Sequence, residues 1–230
     1  MTTPPAPTSQ WSDHIRKNKN KELTIYATPN AEKYSNWSNV LDEAIVEFNK
    51  LNLGVKFRRV NVGLDPKVPF QLCWQGTNVQ FDACSVRPEY TVCNQKVVPI
   101  FEGKVFDGKG LDGATIPLPE FTFIDNKPPI ERRIKACIIV PAEPSVPDTM
   151  GHGRPVGHRV KLVIAVHELI HACGLIKHSD PGKDVMSKVY RAIPGQNAED
   201  DDVVFPPSPI PMKRIYLHPD TAKLIRDNWK

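Results

Sequence analysis

At 230 residues, 40% hydrophobic and 24% charged, the chain is long enough to bury a core without staples, and its balance is that of an ordinary folded protein. No apolar run approaches the roughly 18 residues that a membrane-spanning helix needs. A net charge of +4, with Lys and Arg scattered in nothing longer than pairs such as Arg132-Arg133, gives little reason to invoke nucleic acid or an anionic membrane.

Residues 1–21 are polar and rich in Pro and Thr and are expected to form a flexible tail, with a single folded domain over 22–230. LTIYAT (23–28) reads as a strand. Ser35 or Asn36 then caps a helix whose apolar residues Trp37, Val40, Leu41, Ile45 and Phe48 recur at helical steps; it ends near Leu51, with Gly54 as a stop. VKFRRVNV (55–62) alternates as a half-buried strand does. Strand, helix, strand predicts an α/β layer with a parallel pair. From 68 to 105 turn residues are frequent, and FQLCW, YTVC and KVVPIF are the strand candidates. FDGKGLDGATIPLPEF (106–121) sets two Asp-Gly pairs before a short apolar segment, which suits either a surface turn or a loop wrapped around a cation such as calcium. RIKACIIVPA (133–142) is the clearest strand of the second half. The Pro- and Gly-rich PSVPDTMGHGRPVGH leads into VKLVIAVHELIHAC, an apolar helix that Gly174 ends.

Five cysteines (Cys73, Cys84, Cys93, Cys137, Cys173) cannot all pair within one chain, and none forms a CxxC motif. A local disulfide among the first three suits an exported protein, and buried reduced thiols are the other reading. MTTPPAPTSQ lacks the basic start and apolar stretch of a signal peptide, so the chain is expected in the cytoplasm if it begins natively and outside the cell if a leader was removed.

The chemistry concentrates in HELIHACGLIKH (167–178). Residues four apart on a helix face the same way, so His167 and His171 can grip one metal ion. Glu168 lies beside them, placed to act as a general base on a water without being a ligand. Two imidazoles on an otherwise apolar helix need partners, which a metal supplies. Gly174 permits a left-handed turn that sends the chain back towards the same point. His178 is the third ligand that chemistry prefers. Its neighbour Lys177 would first have to lose a proton, at a reference pKa of about 10.4. His152 and His158, with Asp148 nearby, form a candidate second zinc site, against the plainer reading of solvated loop histidines.

HELIHACGLIKHSDPGKDVM resembles the metzincin zinc-protease pattern, HExxHxxGxxH followed by a Met-turn, and most resembles its matrixin branch. Ser179, Asp180-Pro181 and Met186 match that branch, FDGKGLDGATIPLPEF is similar to its calcium-loop and edge-strand segment, and LHPDTAKLIRDNW is similar to its last helix, with Pro219 near the first turn. The resemblance implies an α/β (α+β) fold: a twisted mixed sheet with a backing helix and an active-site helix in an upper lobe (22–174), and a small lower lobe (175–230) with the Met-turn and final helix. It implies one catalytic zinc held by His167, His171 and His178, with Glu168 as base, Met186 as a hydrophobic floor, and a monomer cleaving protein or peptide substrates. The sequence departs from the pattern in two places. No cysteine precedes the first strand to serve as a latency switch, and Lys177 occupies the usual third-ligand position, one residue before His178. A hydrolase whose third ligand is Asp180 or Glu199, and a metzincin-like binding protein without catalysis, remain the alternative readings. Tyr190 has no assignable role.

Overall fold

A computed structural model describes residues 16, 20–33, 37–60, 71–72, 78–84, 90–92, 95–97, 113–117, 133–147, 152–175, 177–180, 182–188, 191–195, 197–207 and 210–230. The expected capping residues Ser35 and Asn36, the Asp-Gly loop up to Asp112, and Arg132, Asp148, Pro181, Tyr190, Cys73 and Cys93 lie outside the described residues.

The chain opens with β1 (Glu22–Ala27), a short α1 (Pro29–Lys33), α2 (Trp37–Lys50) and β2 (Lys56–Arg59). The first and second strands are parallel, with Glu22 opposite Lys56, as strand-helix-strand order predicts. Helix α2 exists because its apolar residues fall on one stripe: Trp37, Val40, Leu41, Ala44, Ile45 and Phe48 are all buried. Asn52 and Gly54, at φ of 50° and 82°, turn the chain out of the helix and into β2.

Next come β3 (Gln71–Leu72), β4 (Asn78–Cys84), β5 (Tyr90–Val92), β6 (Gln95–Val97), β7 (Ala114–Pro117) and β8 (Arg133–Pro141). They complete one mixed sheet in the order β2-β1-β4-β8-β3-β5-β6, with β7 antiparallel against β8. Strands β2, β1, β4 and β8 run parallel. Strand β8 is central, and from Ala136 to Val140 every residue is buried, the continuous apolar run expected of a parallel strand covered on both faces. Thus FDGKGLDGATIPLPEF contributes an antiparallel strand over 114–117.

A small hairpin of β9 (Ser145–Pro147) and β10 (Gly153–Pro155) leads to α3 (His158–Ala172), which is buried from Leu162 to Ile170 and packs against α2, β7 and β8. Beyond it lie β11 (Arg191–Ile193), β12 (Asp202–Val204) and α4 (Pro219–Asn228), with His218 as N-cap and Pro219 at the first helical position. One core joins these layers, from Leu23 and Phe48 through Phe81 and Ile138 to Met186 and Trp229. Each buried Leu, Ile or Phe contributes about 1.5–3 kcal/mol. Two buried indoles fix the ends: Trp37 Nε1 donates to the Pro141 carbonyl (2.9 Å) and Trp229 Nε1 to that of Cys173 (2.8 Å). Arg16 and Lys21 donate to the carbonyls of Asn228 and Trp229, tying the first described residues to the last helix. Among the described residues no helix is long and apolar enough to cross a membrane, and Cys84, Cys137 and Cys173 are buried free thiols.

Candidate metal centre

Helix α3 presents His167 and His171 on one face, and the chain leaves it through Cys173 and then Gly174, whose φ of 115° only glycine adopts without strain. That turn brings the chain back under the helix. His178 arrives with its Nε2 at 3.3 Å from His171 Nε2, which in turn lies 3.1 Å from His167 Nε2. The ligand atoms of the three residues lie within 4.8 Å of one another, close enough to hold a metal ion. Leu175 is buried with its carbonyl at His171 Nδ1, and Lys177 is exposed.

The donor set fits a cation. His167 Nδ1 faces the Val185 carbonyl at 2.7 Å and His171 Nδ1 the Leu175 carbonyl at 2.6 Å. A carbonyl accepts only, so each Nδ1 carries the proton, and the assignment leaves both Nε2 atoms as bare lone pairs. The two lone pairs that converge at 3.1 Å repel unless a positive charge sits between them, and His178 Nε2 stands 3.3 Å from the second of these atoms. Tetrahedral zinc with Zn–N bonds of 2.0–2.1 Å places its nitrogens about 3.3 Å apart. Burial lowers the His167 pKa to about 4, with His178 adding to the effect against the Val185 bond. Burial and then His167 lower that of His171 to about 3. Both rings are therefore neutral at physiological pH, the state that ligates, and their carbonyl partners fix them in the ligating orientation.

Glu168 is buried, at 4% exposure, and is held from the sheet: Thr115 Oγ1 on β7 lies 2.7 Å from Glu168 Oε2 and 3.0 Å from its main-chain oxygen. Gly113, next to that strand, approaches so closely that a Cβ there would stand 2.8 Å from the Glu168 side chain. Met186 is fully buried in the turn whose Val185 carbonyl faces His167. Its main-chain oxygen accepts from Ser179 N at 2.8 Å, closing the ligand loop onto that turn.

Two groups escape a reading of the sequence alone. Thr115 carries no local signal, since its partner is 53 residues away. Asp184 did carry one: an Asp two residues before Met186 is placed to make an Asx turn, and its Oδ1 accepts from Met186 N at 2.9 Å. The candidate second zinc site has His158 at the start of α3 bonded to Glu43 on α2. Among the described residues only His167, His171 and His178 form a group able to hold a metal, and Asp180 is not one of its members. The Glu199 side chain is outside the described residues. Compared with known proteins, the chain matches no family model and no curated relative.

Proposed function

We propose that the protein is a zinc-dependent endopeptidase of metzincin type. One observation carries the reading: three imidazole nitrogens converge at bonding separation, with two Nδ1 protons tied to carbonyls and a buried glutamate directly following the first ligand. The mixed sheet with an antiparallel strand beside α3, the buried methionine next to the Val185 carbonyl that faces His167, and the closing helix support it further.

In this reading His167, His171 and His178 hold the metal. Zinc supplies, when bound, Lewis acidity that lowers the pKa of a water from 15.7 to about 7 and polarises a peptide carbonyl. Glu168 takes a proton from the attacking water and returns it to the departing amine nitrogen, so the carboxylate ends the cycle in the form in which it began. Thr115 fixes the rotamer of that carboxylate through Oε2. The substrate is a protein or peptide, and the protein acts as a monomer.

Metal analysis and hydrolysis of an unfolded protein, on wild type and Glu168→Ala together, test this. Expected are about one zinc per chain in both proteins, loss of wild-type activity with a chelator, and a fall of roughly 10²–10⁴-fold or more in turnover for the variant. A zinc-loaded wild type that cleaves nothing would instead favour a metal-holding binding protein. Equal turnover in the variant would remove Glu168 from its role.

A further inference from the structure

His178 is the exposed member of the triad and stands on no helix or strand, so something beyond the helix has to set its position. The next residue, Ser179, is gripped twice by the turn below: its N–H donates to the Met186 carbonyl, and its hydroxyl donates to Asp184 Oδ1. Asp184 is 1% exposed and saturated with donors. Besides Ser179 Oγ it accepts from Met186 N at 2.9 Å, His218 N at 2.9 Å and Thr221 Oγ1 at 2.8 Å. A buried carboxylate is costly unless donors surround it, and one that is fully supplied locks every donor it binds. This one locks the ligand loop, the methionine turn and the start of α4 to each other. The adjoining Val185 carbonyl orients His167. The first and third histidines thus depend on consecutive residues of a single turn.

We propose that Asp184 is a positioning residue for the metal centre, acting through Ser179 to hold His178 at the convergence point of the triad. The inference rests on the reading of that triad as a metal centre. The competing view is that Asp184 merely docks α4. The two roles use different oxygens: Oδ1 faces the ligand loop, and Oδ2 faces His218 and Thr221.

Two variants cut these arms one at a time. Ser179→Ala removes the ligand-side bond, and Thr221→Val removes a helix-side bond while keeping the carboxylate. Zinc affinity, measured by chelator competition, is expected to fall about 10–100-fold in Ser179→Ala, the usual cost of losing an outer-shell partner. The visible spectrum of its cobalt-substituted form is expected to shift. Thr221→Val is expected to melt at a lower temperature with a zinc constant within about 2-fold of wild type. Asp184→Asn combines both losses if it folds, but the inference does not depend on it. Unchanged zinc affinity in Ser179→Ala, or an equal loss in Thr221→Val, overturns the positioning role. A wild type that binds no metal overturns the metal centre and this inference together, whereas a wild type that binds zinc without cleaving peptides overturns only the peptidase reading.

Discussion

Among the described residues between Leu23 and Ala172 most buried side chains are hydrocarbon, whereas from Ser179 to Thr221 many of the bonds that fix an irregular backbone converge on two carboxylates, Asp184 and Asp201. The difference follows from backbone accounting. In the first region the sheet and the helices pair their own amides, so side chains are free to be apolar. Among its described residues, the segment after α3 has only the three-residue strands β11 and β12 and a 3-10 turn at Ala198–Asp200 before α4. Its remaining amides need acceptors, and a carboxylate supplies several lone-pair sites at one point. Asp201 takes Arg154 in a fork, with Nη1 at 3.0 Å, and the amides of Gly157 and Gly195 at 3.0 Å each. A ligand carried on irregular chain can be as well placed as one on a helix, provided such anchors exist.

The largest expected effect tests whether the irregular region supplies a true ligand. His178→Ala should weaken zinc binding by about 100-fold or more, because it removes one of three imidazoles, while Lys177→Ala on the exposed neighbour should leave it nearly unchanged. A metal titration decides, and the reverse ranking would mean that the triad is wrongly composed.

Next in size is the anchor itself. Asp201→Ala removes an acceptor from Arg154 and from two amides, and breaking a charge pair with one fully buried partner costs up to about 3–5 kcal/mol. Urea unfolding should show a loss of that order; a change below about 1 kcal/mol would make the pair an ordinary surface bridge. Burial alone would raise the Asp201 pKa, but the hydrogen bonds from Arg154, Gly195 and Gly157 outweigh it and hold the group below its ordinary 3.8. A depressed folded pKa means stability that is present above 3.8 and lost as pH falls through the folded value. The deficit of the variant should therefore shrink in acid.

What could be read from the sequence divides along the same line. Helix α2, strand β8 and helix α3 announce themselves by apolar spacing, because burial of a regular element imposes its own period on the chain. The triad was legible for the same reason: two ligands sit on that period and the third follows a glycine that has to turn. The long-range bonds of the hydrogen-bonding anchors were not, although the local Asx turn of Asp184 was. YRAIPGQNAEDDD looks like a solvated acidic loop, yet Asp201 in it is 2% exposed and its arginine is 47 residues away. Thr221 and Asp184 are 37 residues apart. No periodicity connects partners at such separations; only the folded backbone brings them together. The short strands β3 and β5 fall within the candidates FQLCW and YTVC and β6 overlaps KVVPIF, although two or three residues cannot establish an alternation.

The smallest expected effect comes from the apolar region and has the opposite sign. Asp82 on β4 is buried at 6% exposure, among side chains that are mostly hydrocarbon, and accepts a hydrogen bond from Thr28 Oγ1 at the end of β1. Burial raises its pKa above 3.8, against hydrogen bonds involving Thr28, Cys84, Ala83 and Asn30. No guanidinium is among these partners, so the charge that Asp201 keeps is one that Asp82 resists. A carboxyl whose folded pKa is raised binds its proton more tightly in the native state. Its contribution to stability is therefore complete below 3.8 and is lost as pH rises through the folded value. Asp82→Asn keeps the shape and an oxygen to accept from Thr28 but can never ionise. It should stabilise the protein at pH 7 by on the order of 1 kcal/mol, the scale of relief from burying a polar group poorly. The gain should disappear below pH 3.8, where the raised pKa keeps Asp82 protonated in the folded protein. Denaturation curves at the two pH values read this directly. An asparagine variant that is less stable than wild type at neutral pH would show that the sheet, like the loops after α3, depends on a charged carboxylate.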